Sequence, residues 1–243
     1  PPQSARRLGA RRMSNLPQPN SPPFALDILY QDQHVVILNK PAGIPVHTGP
    51  AGGVSVEACF AFLSRRKDGP WLAHRLDTET SGCLAIALRK QPLIAMQQAF
   101  AAKTVHKTYW AVVHGGPDNA QGDITLPLRK HSTKAEGWSI KPDPKGEPAR
   151  TTWRVLGRSK SKNLTWLELT LHTGRTHQAR VHCAAMGWPI MGDTLYGKAH
   201  PQGLHLLARS LTLPFTPPLH AIAPPRHGMQ AALKACGWQN ETE

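Results

Sequence analysis

Two segments of the chain place charged side chains inside otherwise apolar sequence. The first is HRLDTETSGCLAIAL, residues 74–88, in which Arg75 and Asp77 stand one residue apart just before a long apolar run. If the backbone there is extended, side chains at i and i+2 leave the same face, so a guanidinium and a carboxylate project together. The two side chains therefore form either a local surface pair or part of a site.

The second segment is LHTGRTHQARVHCAAMG, residues 171–187. Its apolar spacing predicts a helix that starts near Thr176 and ends at Gly187. On that helix Arg180 lies at the edge of the apolar stripe, three residues after His177. A buried charge is costly unless an ion of opposite sign pairs with it, so Arg180 requires an anionic partner.

Asp77, a carboxylate in an apolar context, is a candidate partner for Arg180. In one interpretation the two residues form a structural salt bridge between two core elements. In the other, the arginine favours the ionised form of a catalytic aspartate. An ionised aspartate is what attack on a sugar carbon, or removal of a sugar proton, requires.

The three histidines of the second segment, His172, His177 and His182, suggest a metal site, but their spacing does not fit one. On a helix, residues five apart point about 140° away from each other, whereas two ligands of one ion are typically four apart. We therefore predict no metal. The chain also lacks a G-x-G-x-x-G or G-x-x-x-x-G-K motif, so we expect no nucleotide cofactor.

The charge of the chain indicates a polyanionic partner. Its 29 Lys and Arg outnumber 15 Asp and Glu, which gives a formal net charge of +14. Such an excess repels itself unless a polyanion offsets it, and nucleic acid is the first candidate. The basic residues form no polybasic block beside an apolar span, so we expect no membrane contact. The four cysteines contain no C-x-x-C pair, which favours buried thiols in the cytoplasm.

The elements that must position these residues follow a mixed order of strands and helices. We predict strands in ILYQ, HVVILNK, GCLAIAL, HKTYWAVVH, TTWRVLG, LTWLELTL and LHLLARSLTL, and helices in VSVEACFAFLSRR, QPLIAMQQAFAAK and HGMQAALKACGW. Hairpins and an exposed loop are expected between residues 118 and 149. Without a regular strand–helix–strand alternation, we predict an α+β fold with a mixed, largely antiparallel central sheet and flanking helices.

We expect one domain over residues 24–243. Residues 1–23 are rich in Arg and Pro and free of acidic residues, so a disordered basic N-terminal arm is expected there. We also expect the protein to be a monomer.

Four stretches of the chain resemble the motifs of the RluA-type pseudouridine synthases, in that family's order. YQDQHVVILNKPAGIPVH resembles the opening motif, HRLDTETSG the active-site motif, KTYWAVVHG the tyrosine strand and TGRTHQARVHCAAMGWPIMGDTLYG the later motif. The resemblance implies the pseudouridine synthase fold and isomerisation of uridine to pseudouridine in stem-loops of rRNA or tRNA. Many relatives carry an S4 RNA-binding domain. The stretch before Leu29 leaves no room for one, so we expect the catalytic domain to choose the substrate.

The resemblance also implies roles for single residues. Asp77 is implied to be the catalytic aspartate, and Arg180 to be its ion-pair partner. Arg75 would enter the space left by a flipped nucleotide, and Tyr109 would stack on the target uracil. Because side chains alternate along a strand, Tyr109 and its neighbour Trp110 should face opposite ways. Residues expected to bind RNA or to orient their neighbours are His74, Lys107, Arg175 and His177.

Two other classes of protein stay open at this point. One is an RNA-binding protein of the same fold without catalysis, in which Asp77 is only half of a structural pair. The other is a metal-dependent nuclease, which requires a cluster of carboxylates, whereas the acidic residues here are few and scattered.

The net charge leads to a prediction about salt. Phosphate contacts release counterions, so log affinity for a substrate stem-loop should fall by roughly 0.7 to 0.9 per contact for each unit of log salt concentration. Titrations of a labelled stem-loop between low and high salt measure the slope. A flat dependence would contradict the inference drawn from the net charge.

Overall fold

The computed structural model describes residues 21–50, 52–135 and 137–240. The predicted N-terminal arm lies almost entirely outside these ranges. The described residues contain the following helices: α1 (Phe60–Leu63), α2 (Lys90–Ala101), α3 (Gln178–Ala185) and α4 (His227–Ala235). They contain the following strands: β1 (Ile28–Gln31), β2 (Val35–Lys40), β3 (Trp71–Leu72), β4 (Ser81–Ala87), β5 (His106–His114), β6 (Gln121–Ile124), β7 (Leu128–Thr133), β8 (Gly137–Pro142), β9 (Thr151–Arg158), β10 (Leu164–Leu171), β11 (Leu206–Leu213) and β12 (Leu219–Ile222).

One large sheet organises the described residues. Eight of its strands follow the order β1-β2-β4-β11-β5-β10-β9-β6, while β3 pairs with β4 and β12 pairs with β11. Neighbouring strands in this part of the chain are antiparallel, except that β4 and β11 are parallel over two residue pairs. The prediction of an α+β fold with a mixed, largely antiparallel sheet is therefore confirmed.

Both faces of the sheet are covered at its centre. Strand β4 is buried along its whole length, as its unbroken apolar sequence requires. On one face, Met96 of α2 and Leu233 of α4 pack into the same cluster as Cys83 and Val112. The opposite face carries two clusters, which hold residues from α1, α3 and the alternate positions of the strands. Because side chains alternate along a strand, each central strand contributes to both faces.

The two charged segments are anchored on the same face of the sheet. Leu76, which precedes Asp77, is buried in one cluster of that face, and Ala179, which precedes Arg180, is buried in the other. Ala208 of β11 and Leu206, two residues earlier, extend into those clusters from a single strand. Apolar burial beside each charged residue therefore brings the two segments toward a common point.

The sequence prediction was wrong in detail at three places. The segment 54–66 does not form one amphipathic helix: a single 3-10 turn (Glu57–Cys59) leads into the four-residue helix α1, and the backbone is extended at Ser64. Short helices depend on packing, and the residues after Leu63 are largely exposed. Strands β3 and β12 were not predicted, because segments of two and four residues are too short for a clear periodic signal.

The segment between residues 118 and 149 contains the predicted hairpin. Strands β7 and β8 pair from Leu128 with Pro142 to Thr133 with Gly137 and form a two-stranded sheet of their own. This hairpin packs against α3, and its residues line a second, smaller cavity together with Arg75 and Arg175, which also line the candidate site. No helix in the described ranges has the length and apolar composition needed to cross a bilayer.

Gly82 leads to a prediction about the parallel pairing of β4 and β11. Its φ is +115°, and a Cβ at this position would overlap the backbone carbonyl of Ala208. Gly43 also has a positive φ, +87°, but a Cβ there would meet no atom within 4 Å, so it controls for backbone strain alone. We expect Gly82→Ala to lower the free energy of unfolding by about 1 to 3 kcal/mol more than Gly43→Ala does.

Urea unfolding of both variants measures this difference. Equal losses in the two variants would show that the close approach of β4 to β11 is not a constraint on the fold.

Candidate active site

The predicted site residues meet in one cavity of about 430 Å³ on the face that carries α1 and α3. Its walls come from the loop after β3, from β5 and from the segment that leads into α3. The cavity is lined by every residue for which the sequence suggested a role: His74, Arg75, Asp77, Lys107, Tyr109, Arg175, His177 and Arg180.

The loop that carries Asp77 is held from behind by a buried lysine. Lys40 is completely buried, and its Nζ donates hydrogen bonds to the carbonyl oxygens of Pro41, Ile44 and Thr78 at 2.8, 2.8 and 3.0 Å. Burial lowers the pKa of Lys40 to about 8, with the nearby Glu79 and Asp77 charges opposing the shift. Sequence reasoning did not find this role, because a lysine at the end of a strand is normally exposed.

Arg180 makes its closest ion pair with Asp193. Its Nε and Nη2 donate to the two carboxylate oxygens of Asp193 at 2.8 Å each, and the two side chains are 5% and 0% exposed. Asp193 also accepts hydrogen bonds from the amides of Leu195 and Tyr196. Burial raises the pKa of Asp193, but these hydrogen bonds and the charge of Arg180 outweigh it and hold the pKa below its ordinary value.

Asp77 is the second carboxylate beside Arg180. Its Oδ2 lies 3.7 Å from Nη1 of Arg180, and its Oδ1 lies 3.9 Å from Nε2 of His177. The expected pairing of Arg180 with Asp77 therefore exists, but the two-point bond that holds the arginine belongs to Asp193, which the sequence analysis missed. Both contacts of Asp77 are longer than a hydrogen bond, so its oxygens can still bond to a ligand in the cavity.

The loop before α3 is organised by Gln178, another residue that sequence reasoning missed. Its buried amide accepts hydrogen bonds from the hydroxyl of Thr173 and the backbone N–H of Arg175. The same amide donates to the carbonyl of Arg150 and the hydroxyl of Thr151 on the neighbouring strand. These bonds fix the segment between β10 and α3, so Arg175 lies at the rim of the cavity.

The alternation predicted along β5 is confirmed. Tyr109 faces the cavity, whereas Trp110 packs on the other side of the sheet against Trp166 and the guanidinium of Arg209, which lies 4.0 Å from its ring centroid. Burial and the charge of Asp77 raise the pKa of Tyr109, so its phenol stays protonated. A neutral aromatic ring therefore forms one wall of the cavity.

His74 has a structural hydrogen bond. Its Nε2 accepts the backbone N–H of Ala85 at 2.8 Å, and its ring stacks on Phe100 with centroids 4.7 Å apart. Burial lowers the pKa of His74 to about 3, so the ring stays neutral at physiological pH. This geometry does not support a charged contact with phosphate. Of the two roles considered for His74, orienting its neighbours is the one that the contacts fit.

Arg75, Lys107 and Arg175 are the cations at the edge of the cavity. Arg75 is exposed, while burial lowers the pKa of Lys107, which lies 5.8 Å from the ring centroid of Phe100. Arg175 pairs with Glu147 at 3.2 Å and donates to the carbonyl of Pro148. These side chains give the opening a positive charge.

The three histidines of the second segment do not meet. His182 is buried and bonds to the hydroxyl of Thr151 and the carbonyl of Leu126, while His172 bonds to the hydroxyl of Thr152. Within the described ranges, no three side chains of the His, Cys, Asp or Glu type are placed to hold one metal ion.

Comparison with known proteins shows the family to which this chain belongs. A family model described as RNA pseudouridylate synthase matches residues 34–185, a range that includes Asp77, Tyr109 and Arg180. The chain belongs to the RNA pseudouridylate synthase family. The resemblance of its four motifs to that family is thus confirmed.

Relatives and solved structures agree with this membership. An uncharacterized RNA pseudouridine synthase of Zymomonas mobilis is 41% identical over 182 residues, which cover 72% of this chain and 80% of that protein. Another of Synechocystis is 39% identical over 194 residues, which cover 76% of this chain but only 59% of that protein. The structure of human RNA pseudouridylate synthase domain containing 4 superposes with a TM-score of 0.72 at 26% identity, covering 86% of this chain and 92% of that one.

The geometry of Arg180 leads to a prediction about stability. Arg180→Met leaves the buried Asp193 unpaired, which should cost about 3 to 5 kcal/mol of unfolding free energy. In a double-mutant cycle we expect Arg180→Met to couple to Asp193→Asn by about 1 to 3 kcal/mol. The coupling to Asp77→Asn should stay below about 1 kcal/mol, because that contact is longer and partly exposed.

Denaturant unfolding of the wild type, the three single variants and the two double variants gives both coupling energies. A larger coupling to Asp77 than to Asp193 would contradict the assignment of Asp193 as the structural partner.

Proposed function

We propose that this chain isomerises uridine to pseudouridine in structured RNA, with Asp77 as the catalytic carboxylate. The observation that carries the proposal is the position of Asp77: it lines the same cavity as Tyr109, and its Oδ2 lies 3.7 Å from a guanidinium that is already fixed by another carboxylate. A carboxylate held in this way has oxygens available for a ribose.

The reaction breaks the bond between N1 and C1′ and joins C5 to C1′ after the uracil turns. C5 loses its proton, and N1, which carries no hydrogen in uridine, gains one in the product. Asp77 would act on the ribose, either by attack at C1′ or by removal of a sugar proton, and both routes use its ionised form. Arg180 places a positive charge 3.7 Å from this carboxylate.

The cavity suits a nucleotide that has left its stack. A uridine inside folded RNA cannot be reached in place, so the enzyme must extrude it and offer the flipped base a surface to stack on. Tyr109 supplies an aromatic face inside the cavity, and the exposed Arg75 at the opening can fill the gap in the RNA. The positive rim formed with Lys107 and Arg175 suits the phosphates on either side.

We propose ribosomal RNA as the substrate class. Ribosomal large subunit pseudouridine synthase D of Zymomonas mobilis is 35% identical over 212 residues, which cover 81% of this chain and 64% of that protein. We propose that residues 24–243 act as one catalytic domain, because segments from Ala73 to Leu206 line a single cavity, and that the protein acts as a monomer. The four cysteines are free and buried, which fits action in the reducing cytoplasm.

The proposal predicts that Asp77→Asn removes activity but not binding. Release of the C5 proton from RNA labelled at C5 with tritium measures turnover, and filter binding measures affinity. We expect turnover to fall to background while affinity stays within a few-fold of wild type. Asp68→Asn, which changes an exposed carboxylate paired with Arg66, is the matched control and should keep full activity.

More than a tenth of wild-type turnover in Asp77→Asn would refute the catalytic role of Asp77. An inactive wild-type protein that still binds the RNA would instead favour the RNA-binding class. Cleavage of the RNA without EDTA, and loss of that cleavage when EDTA is added, would favour the nuclease.

A further inference from the structure

His177 has a backbone conformation that few residues adopt. Its φ is +54° and its ψ is +20°, in the left-handed region, directly before α3. For a residue other than glycine this conformation is uncommon, and such outliers concentrate at functional sites. Here it directs the imidazole between Asp77 and the hairpin β7–β8, where the side chain is only 9% exposed.

The hydrogen bonds around His177 fit a neutral imidazole with its proton on Nε2. Its Nδ1 lies 2.8 Å from the hydroxyl oxygen of Tyr196, and that oxygen accepts the backbone N–H of Ile140 in β8 at 3.1 Å. The Tyr196 hydroxyl can therefore donate its own proton to Nδ1. Nε2 then carries the proton of the neutral imidazole and points at Oδ1 of Asp77, 3.9 Å away.

The hairpin contacts the same imidazole a second time. The ring of Trp138, in β8, stacks on His177 with centroids 5.2 Å apart and planes inclined by 28°. Trp138 is 45% exposed, and Nζ of Lys130 lies 5.0 Å from its ring centroid. RNA can bind to an exposed aromatic residue beside a cation, because a base can stack on the ring and a phosphate can contact the cation.

We infer that His177 is a positioning residue that couples the hairpin β7–β8 to the orientation of the Asp77 carboxylate. The inference rests on the proposed function. The 3.9 Å separation exceeds an N–H···O bond by about 1 Å. RNA seated on Trp138 moves the imidazole by that amount, so Nε2–H donates to Asp77 only when substrate is bound. The carboxylate is then oriented for the ribose.

Two amide substitutions of His177 distinguish a role in positioning Asp77 from a purely structural role. In His177→Gln the side-chain amide reaches the place of Nε2 and can still donate to Asp77. In His177→Asn it reaches only the place of Nδ1, where it can bond to Tyr196 but not to Asp77. Asn tolerates a left-handed backbone better than Gln does. If the role of His177 were only structural, the His177→Asn protein would be both more stable and more active than the His177→Gln protein.

The experiment measures kcat and KM for stem-loop RNA, together with thermal unfolding, for wild type and both variants. We expect the kcat of His177→Gln to be at least ten times that of His177→Asn, with KM values of the two variants within a few-fold of each other. This difference should appear even though His177→Asn is the more stable protein. Tyr196→Phe keeps the ring and removes only the hydroxyl. It should lower kcat several-fold without raising KM, because the imidazole then loses the bond that fixes its proton on Nε2.

The outcomes are distinct. An Asn variant as active as the Gln variant, or an effect confined to KM, overturns the role of His177 while the proposed isomerisation stands. If both amide variants fail to fold, an unchanged kcat in Tyr196→Phe overturns the inference. A wild-type protein without isomerase activity overturns the proposed function and this inference with it.

Discussion

The buried ion pair between Arg180 and Asp193 is the constraint on which the cavity depends. A guanidinium on the first turns of α3 could not be buried alone, and the turn after residue 190 supplies a carboxylate that satisfies two of its nitrogens. The third nitrogen, Nη1, is thereby aimed at Asp77. The ion pair thus fixes the position and the direction of the Arg180 guanidinium, and with it the positive charge beside Asp77.

Buried hydrogen bonds also restrict the conformations of the two loops that meet at the Arg180 guanidinium. Lys40 fixes the loop of Asp77 by hydrogen bonds to backbone carbonyls. Gln178 fixes the loop before α3 by hydrogen bonds to two hydroxyls, one backbone N–H and one carbonyl. Both residues are buried and polar with their hydrogen bonds made, which is the condition under which burial does not destabilise. Rigid loops reduce the conformational entropy that must be lost when substrate binds.

Local patterns in the sequence were sufficient for most of the sheet and for the segments that line the cavity. Alternation placed Tyr109 and Trp110 on opposite faces, and the polar interruption between two apolar runs drew attention to Arg75 and Asp77. The interaction partners of these residues were harder to predict from the sequence, because they depend on the path of the chain. Asp193 lies outside the helix that it stabilises, and nothing near Arg180 in the sequence indicates it. The neutral state of His74 likewise follows from its packing on Phe100, a contact between two elements.

The parallel contact between β4 and β11 has a consequence for how the protein comes into being. The Cys83 thiol in β4 donates to the carbonyl of Arg209 in β11 across 126 residues of chain. Loop-closure entropy makes such distant pairings slow to form. During synthesis, Asp77 and its loop leave the ribosome long before the strand that must lie beside β4. The two sides of the cavity therefore stay separate in the nascent chain until β11 emerges, and no complete site exists before that point.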